Sequence, residues 1–362
     1  MPYDKQLEYK QQKAERMLSR FAKVEPMISM DEPYNYRNKV QTALAFDSRK
    51  RLISGVYQSS SGRIVATDDC MLEDKHCTAA VLTARRLMQS MKILPYNKST
   101  GKGLVRHILT RYSRKTGQLM LCICAQSPVL PSKRSFISAL TKAHPEIVSV
   151  VLNVCTDPLP LTLGRQDIVL FGKGYIEDEI LGKRFRVSPR SFGQVNSVMT
   201  EKLYSAAVEA AELTSQDTLI DAYCGTGTIG LICADRVEKV IGAELNSSAC
   251  ADAEANAKLN GAKNAVFVNA DAGRFMEEFY SNGQRADAVM LDPPRAGCDK
   301  RFLETLCRLA PKRAVYISCK IETLERDLRF LVKNGYEAVK IQPVDMFPHT
   351  TGIETVVSLK HK

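Results

Sequence analysis

Residues 218–230 read Thr-Leu-Ile-Asp-Ala-Tyr-Cys-Gly-Thr-Gly-Thr-Ile-Gly: a short apolar run that ends on an acid, Asp221, and passes into a glycine-rich turn. Glycines at a strand-to-helix turn remove the side chains that would hold a ligand off the backbone. Farther along, Glu244 closes the next apolar run, where a carboxylate about twenty residues beyond the turn can take two ribose hydroxyls. From Leu219 onward such runs alternate with helical patterns: Thr218 to Asp221, Val237 to Ala243, Ala265 to Val268, Ala286 to Leu291 and Ala314 to Ile317. Their regular spacing predicts a doubly wound, mostly parallel sheet in an α/β domain. Ala338 to Val344 and Ile353 to Leu359 follow with too short a connection for a helical crossover, so they are expected as a terminal antiparallel hairpin that completes seven strands.

Upstream the texture differs. Residues 4–23 read as a charged amphipathic helix lying on a surface. Tyr36 to Phe46, Arg51 to Val56 and Gly103 to Cys124 alternate like strands, and Ala79 to Met91 is patterned like a helix, so an α+β domain with an antiparallel sheet is expected. With 362 residues the chain is long enough for two cores, and the boundary is placed between 185 and 186. The net charge of +11 is uneven: residues 1–200 hold 31 Lys and Arg against 17 Asp and Glu, whereas residues 201–362 hold 20 against 23. Arg106, Arg111, Arg114, Lys115, Lys133 and Arg134, interleaved with His107 and Tyr112, make the first domain a footprint for a phosphate backbone. A solvated basic face without a partner is the alternative.

Other classes are excluded or disfavoured. There is no apolar run of about 18 residues, so no membrane span is expected, and the polar start Met1-Pro-Tyr-Asp-Lys lacks the apolar stretch of a secretory signal. The expected location is the cytoplasm. Eleven scattered cysteines, several in apolar company, read as reduced and buried thiols. Cys70, His76 and Cys77 do not complete a four-ligand spacing, so no metal is expected.

The Gly-x-Gly-x-x-Gly turn at 225–230 fits a dinucleotide dehydrogenase as well as an enzyme that uses S-adenosylmethionine. Two later motifs separate them: Val289-Met-Leu-Asp292-Pro-Pro-Arg295 after the fourth strand and Val315-Tyr-Ile-Ser318-Cys319 after the fifth. Ligands of open α/β sheets bind beyond the carboxyl ends of the strands, so Gly225, Glu244, Asp292 and Cys319 should converge on one crevice. A dehydrogenase needs no such cysteine.

Phe192-Gly-Gln194-Val-Asn196, Asp221-x-Tyr223-Cys-Gly-x-Gly227, Glu244, Asp292-Pro-Pro-Arg295, Ser318-Cys319-x-x-Glu-Thr-Leu-x-Arg326-Asp327-Leu328 and Pro348-His-Thr-x-x-Ile-Glu354 occur in order over about 160 residues. In order and spacing they resemble the RNA 5-methyluridine methyltransferases, the uracil-5-methylating enzymes of ribosomal and transfer RNA. The resemblance implies a Rossmann-like class I methyltransferase domain and S-adenosylmethionine as methyl donor. It also implies Cys319 as the nucleophile that adds to uracil carbon 6, and Glu354 as the base that removes the proton from carbon 5. Cofactor contacts implied by the resemblance fall on Gln194, Tyr223, Glu244 and Asp292, with Asp271 a weaker candidate near the adenine. Gln194 as a helix cap, Tyr223 as packing and Asp292 as a turn former are the structural alternatives.

Lys320 and Arg295 are the candidate positive neighbours that would favour the Cys319 thiolate. A target uracil must leave its stack, and Phe192 or Arg37 is expected as the platform that receives it.

Departures from the family pattern carry expectations too. Lys320-Ile321 replaces a common Asn-Pro, so the loop after the nucleophile is expected to be freer and more cationic. Gly352 stands where many members have a histidine. Some members carry a small β-barrel and an iron–sulfur cluster on four cysteines, of which only Cys70 has a counterpart here, so neither barrel nor cluster is expected. A monomer acting on RNA is anticipated, with ribosomal RNA preferred over transfer RNA. The readings from other classes are a non-catalytic RNA-binding relative and the dehydrogenase. A cytosine-5-methyltransferase is argued against because the Pro293-Pro294 turn holds no cysteine.

Overall fold

The computed structural model describes residues 1–58, 60–157 and 161–362. The chain begins with α1 (Tyr3–Leu18), β1 (Lys39–Phe46), β2 (Leu52–Tyr57), β3 (Ile64–Ala66), α2 (Lys75–Ser90), β4 (Val105–Tyr112) and β5 (Leu119–Ala125). It continues with α3 (Lys133–Ala143), β6 (Ile147–Val154), β7 (Gln166–Gly172), β8 (Ile176–Ile180), β9 (Lys183–Val187), α4 (Ser197–Ala210), β10 (Thr218–Ala222) and α5 (Thr228–Cys233). The remainder is β11 (Lys239–Glu244), α6 (Ser247–Leu259), β12 (Ala265–Asn269), α7 (Ala272–Ser281), β13 (Ala288–Leu291), α8 (Lys300–Leu309), β14 (Arg313–Ser318), α9 (Ile321–Lys333), β15 (Tyr336–Val344) and β16 (Glu354–His361).

These elements form two compact units, one of Tyr34–Glu179 with Arg186–Ser197 and the other of Met1–Pro33, Ile180–Phe185 and Val198–Lys362. The single boundary read at 185/186 thus differs from the division seen, because the first 33 residues belong with the later sheet. The helix expected to lie on a surface is fastened there by its apolar stripe, which buries Ala14 and Leu18 in that sheet's core.

The mixed-sheet unit, Tyr34–Glu179 with Arg186–Ser197, has the strand order β3-β2-β1-β4-β5-β6-β7. All its pairs are antiparallel except β5 with β6, which the crossover through α3 makes parallel. Helices α2 and α3 cover one face with Ala80, Val81, Ala84, Met88, Phe136 and Leu140 against Ile108, Leu121 and Leu152. Strand β5 is buried at every position, which explains its continuous apolar sequence.

Several basic residues read as a phosphate footprint are structural here. Arg111 is buried and donates through Nη2 to the carbonyl oxygens of Pro189, at 3.3 Å, and Ser191. Arg114 serves Asp74 and the Asn35 carbonyl, and Arg106 donates to the Cys155 carbonyl at 3.2 Å. Burial pushes His107 down to about 4, so that imidazole is neutral. On β4, which lies between two strands, Arg106 and Arg111 reach neighbouring carbonyls, whereas Arg114, beyond the strand, is exposed but spent on Asp74 and the Asn35 carbonyl. Cys77 is buried with its thiol on the Asn38 carbonyl, and His76 stacks on Tyr112 at 4.3 Å. All eleven cysteines are unbridged, and only Cys70, Cys307 and Cys319 are not buried.

The doubly wound unit has the order β12-β11-β10-β13-β14-β16-β15. Its strands β10 to β14 are parallel and the last two antiparallel, the directions expected from the sequence. Side-chain caps start its helices: Asn246 accepts from Ser248 and Ala249 N–H, Asp271 from Arg274, and Asp299 from Phe302. One face of the sheet packs under α1, α7, α8 and α9 through Leu18, Phe275, Phe302, Leu324 and Leu328. Among the described residues no helix is long and apolar enough to cross a membrane, and no group of three or more His, Cys, Asp or Glu could hold a metal ion.

Arg111→Ala leaves two buried carbonyls without their charged donor and is expected to cost about 2–3 kcal/mol of stability. Urea unfolding with unchanged slope checks it, and a variant as stable as the parent would contradict the buried role.

Candidate active site

Five strands of the doubly wound unit deliver acids or a thiol to one edge of the sheet. Asp221 lies in β10, Glu244 ends β11, Asp292 follows β13, Cys319 follows β14, and Glu354 opens β16. In the register, Ser318 pairs with Thr355 and Val344 with Glu354, so the antiparallel strand brings Glu354 beside the end that carries Cys319. Asp292, one residue beyond the Leu291–Tyr316 pair, occupies the strand end on the other side of β14.

The turn after β10 is built by backbone in the left-handed region at Tyr223 (φ 64°), Gly225 (φ 55°) and Gly227 (φ 77°). A Cβ on Gly225 would meet nothing within 4 Å, so its backbone is open to a ligand, whereas one on Gly227 would come within 2.7 Å of the Phe267 ring. Glu244 holds the turn from the next strand, accepting from Gly225 N–H at 3.0 Å and Asn246 N–H at 2.7 Å. Asp221 accepts from Gly230 N–H at 2.7 Å, and its other oxygen is buried without a partner. Burial, with Asp292 and Glu244 nearby, pushes its carboxyl up to about 7. The open glycine backbone, the braced carboxylate and this orphaned oxygen fit a polar, nucleoside-bearing ligand. Leu245, which the sequence reading passed over, is 70% exposed immediately after Glu244 and offers an apolar surface at the same strand end.

The other cofactor candidates fare differently. The partly buried Tyr223 ring packs against the core, tilted against Phe302 at 5.3 Å between centroids, so packing accounts for its side chain. Asp271 caps α7 through its carboxylate. Gln194 belongs to the mixed-sheet unit, in a segment held by Asn38, whose N–H donates to the Val195 carbonyl at 2.8 Å and whose amide reaches Ser197 at 2.7 Å. In the same segment Phe192 is 64% exposed, and Arg37 pairs its backbone with Asn196 while its Nε is buried without a partner.

At the strand end that carries Cys319, Glu354 is buried and its carboxyl is pushed up to about 8, first by burial and then by Asp292, with Arg295 opposing. Cys319 is half-buried, and its thiol is raised by burial, Glu354 and Asp292, again against Arg295. The expected bias toward thiolate is therefore reversed: burial and two carboxyls outweigh one guanidinium. Of the two cations named from the sequence, Arg295 acts on Cys319, whereas Lys320 acts on Glu322.

The loop after Cys319 is held in place. Ile321 is buried at the first position of α9, and Ser318 Oγ and Thr323 Oγ1 both donate to the Lys320 carbonyl, at 3.1 and 3.0 Å. Helix α9 also grips the segment that carries Arg295. Thr323 Oγ1 donates to the Arg295 carbonyl at 3.3 Å, and Arg326 donates to the carbonyls of Ala296 at 2.9 Å and Cys298 at 3.2 Å. Buried Asp327 accepts from Cys298 N–H at 2.9 Å, Tyr316 O–H at 2.7 Å and Arg326 Nε at 2.8 Å. The sequence motif that contains Arg326 and Asp327 gives them no role; their work is to fix the loop from Asp292 to Cys298. The signal available was an acid on the apolar face of α9, flanked by Leu324, Leu328 and Leu331.

Comparison with known proteins agrees with this architecture. The sequence model of the tRNA (uracil-5-)-methyltransferase family matches residues 161–362. An uncharacterized RNA methyltransferase of Halalkalibacterium halodurans is 41% identical over 100% of this chain and 80% of its own. One of Caldanaerobacter subterraneus is 41% identical over 98% of this chain and 79% of its own. Among solved structures, the Pyrococcus abyssi tRNA (uracil-54, C5)-methyltransferase in complex with S-adenosyl-L-homocysteine superposes with a TM-score of 0.83 at 27% identity, covering 99% of this chain and 84% of that one. With the family pattern across more than half its length and close relatives along all of it, this chain belongs to the tRNA (uracil-5-)-methyltransferase family of RNA methyltransferases.

Proposed function

We propose that the chain forms 5-methyluridine in RNA by covalent catalysis, with Cys319 as nucleophile and Glu354 as the base that completes the reaction. The enzyme is an S-adenosylmethionine-dependent RNA (uracil-5-) methyltransferase. The donor, when bound, supplies an electrophilic methyl group on a sulfonium centre. Glu244, the open Gly225 backbone and Leu245 are assigned to its nucleoside, with Asp292 and the backbone at Tyr223 on the reacting side.

The observation that carries the reading is the β14–β16 register, which sets a thiol and a buried carboxyl on adjacent strand ends. Carbon 5 of uracil is a weak nucleophile. The Cys319 thiolate forms a bond to carbon 6, and the electron pair released into the ring makes carbon 5 an enolate carbon that takes the methyl group. Glu354 as carboxylate then accepts the proton on carbon 5, the ring double bond returns and the carbon–sulfur bond breaks. The thiol must lose its proton before the first of these steps and the carboxyl before the last.

Ribosomal RNA is the target carried from the sequence reading. Transfer RNA is the second reading, favoured by the likeness to the Pyrococcus abyssi enzyme. Transcripts of both, assayed for 5-methyluridine by nucleoside mass spectrometry, separate them.

For the grip on RNA, the mixed-sheet unit offers one end of its sheet. The 47–51 turn, the segment before β4 and the start of α3 meet there, as Phe46 pairs with Leu52, Val105 with Ala125, and Gln126 N–H donates to the Leu104 carbonyl. That end exposes Arg49, Lys50, Lys102, Lys133 and Arg134. These replace Arg106 and Arg111 of β4, whose guanidiniums are spent on carbonyls, as candidates for phosphate contacts.

Incubated with S-adenosylmethionine and RNA carrying 5-fluorouridine, the protein is expected to stall as a covalent adduct, since fluorine does not leave as a proton does. A shifted band on a denaturing gel should vanish in Cys319→Ala, and its absence from the parent protein would sink the thiolate reading. Because Glu354 holds its proton up to about 8, the single-turnover rate should rise with pH through that region, whereas a rate flat from pH 6 to 9 would contradict Glu354 as base. Lys102→Glu with Lys133→Glu and Arg134→Glu should weaken RNA binding and flatten its salt dependence, the slope falling by about 0.7–0.9 for each phosphate no longer neutralised, with cofactor affinity unchanged. An unaltered slope would place the RNA on another surface.

A further inference from the structure

We propose that helix α1 is a positioning element for catalysis: Tyr3, Gln6 and Lys10 clamp the loop that presents Glu354, so that the proton on carbon 5 is removed at full rate. The inference rests on the assignment of Cys319 and Glu354 above.

Tyr3, Gln6 and Lys10 lie at helical spacing, and the same stripe continues into Ala14 and Leu18, which are fully buried in the core of the sheet. The apolar end of the stripe anchors the helix; the polar end does something else. Lys10 Nζ donates to Asp345 Oδ1 at 2.6 Å and to the Phe347 carbonyl at 3.1 Å, and Tyr3 O–H donates to Asp345 Oδ2 at 2.8 Å. Gln6 meets His349 twice: its Oε1 accepts from the His349 N–H at 2.9 Å, and its amide nitrogen lies 3.0 Å from His349 Nδ1. His349 sits at φ 63°, a conformation that a non-glycine residue keeps only where its surroundings impose it. All these contacts fall between the end of β15 and the first residue of β16, which is Glu354.

The helix also reaches the other catalytic segment. Lys13 pairs with Glu322 at 2.8 Å and Arg20 with Glu325, both on the first turns of α9, which begins two residues after Cys319. One helix is thereby fastened to the supports of both groups.

Energetics point the same way. The Lys10–Asp345 pair is almost wholly buried, with side chains 2% and 0% exposed. Removing two ions from water cancels most of their attraction, and apolar residues of similar size hold a helix to a loop at least as well. What apolar residues do not supply is a fixed direction. The bonds from Lys10, Tyr3 and Gln6 specify where Asp345, Phe347 and His349 stand, and thus the path by which the loop enters Glu354.

The step at stake is the last one. With Glu354 displaced, Cys319 still bonds to carbon 6 and the methyl group still reaches carbon 5. The proton on carbon 5 then lacks its acceptor, and the carbon–sulfur bond does not break. The test is Gln6→Leu, a substitution that suits a helix and removes both bonds to His349. Purified protein is mixed with S-adenosylmethionine and ordinary uridine RNA of the class that the parent methylates, then run on a denaturing gel. Gln6→Leu should lose at least tenfold in kcat and accumulate a covalent protein–RNA band that the parent does not, with the KM for S-adenosylmethionine changed less than twofold. Gln6→Glu, whose carboxylate can accept from the His349 N–H and from a protonated Nδ1, should restore turnover and remove the band. Wild-type kcat without a band in Gln6→Leu, beside a normal 5-fluorouridine adduct in the parent, overturns the clamp alone. No 5-fluorouridine adduct in the parent overturns the Cys319 reading and the clamp with it.

Discussion

The candidate catalytic edge depends on the antiparallel pairing of β14 with β16. Parallel strands of a doubly wound sheet all bring their carboxyl ends to the crevice, which is how Asp292 and Cys319 arrive there. A strand running the other way brings its first residue instead, and that residue is Glu354. The register tolerates no slip. One residue either way would turn Glu354 to the opposite face and put Ile353 or Thr355 in its place, each of which is buried where it stands. Pairing, more than any hydrogen bond to the carboxyl, decides that a thiol and an acid meet.

Burial then sets how these groups behave. Asp221, Asp292 and Glu354 crowd one low-polarity edge, and desolvation holds each near neutrality, with values pushed up to about 7, 7 and 8. Cys319 is raised as well, by burial and then by Glu354 and Asp292. A crevice of this kind responds to charge: a cation that enters favours every ionised form at once, whereas an isolated surface carboxylate would already be ionised and gain little. Arg295 is the resident instance, acting on both Cys319 and Glu354, and its place is fixed from α9 through Thr323, Arg326 and Asp327.

Much of this was legible in the sequence. The alternation of apolar runs announced the strands and their directions, including the terminal hairpin, because strands buried on both faces write themselves as short continuous apolar stretches. The convergence of Glu244, Asp292 and Cys319 followed from topology alone. Charge was read less well, because composition does not distinguish a solvated cation from one spent on carbonyls. Arg111 and Arg114 look in sequence like Lys133 and Arg134, yet Arg111 is buried on two carbonyls and Arg114, though exposed, is spent on Asp74 and the Asn35 carbonyl. The protonation bias of Cys319 was misjudged for a related reason: adjacency in sequence put Lys320 beside it, whereas proximity in space put Glu354 and Asp292 there.

A charged residue inside an apolar helical stripe was the signal left unused. Asp327 shares its face with Leu324, Leu328 and Leu331, and Lys10 shares its face with Ala14 and Leu18. Burying either charge is costly unless several partners meet it, so such a residue announces a network whose other members lie elsewhere in the chain. For Asp327 the partners are Cys298, Tyr316 and Arg326; for Lys10 they are Asp345 and the Phe347 carbonyl, more than 330 residues away. Both networks end on loops that flank the candidate catalytic groups. The stripe-breaking charge therefore marks where the fold specifies a direction that hydrophobic packing leaves open, and in this chain both such directions converge on the edge that holds Cys319 and Glu354.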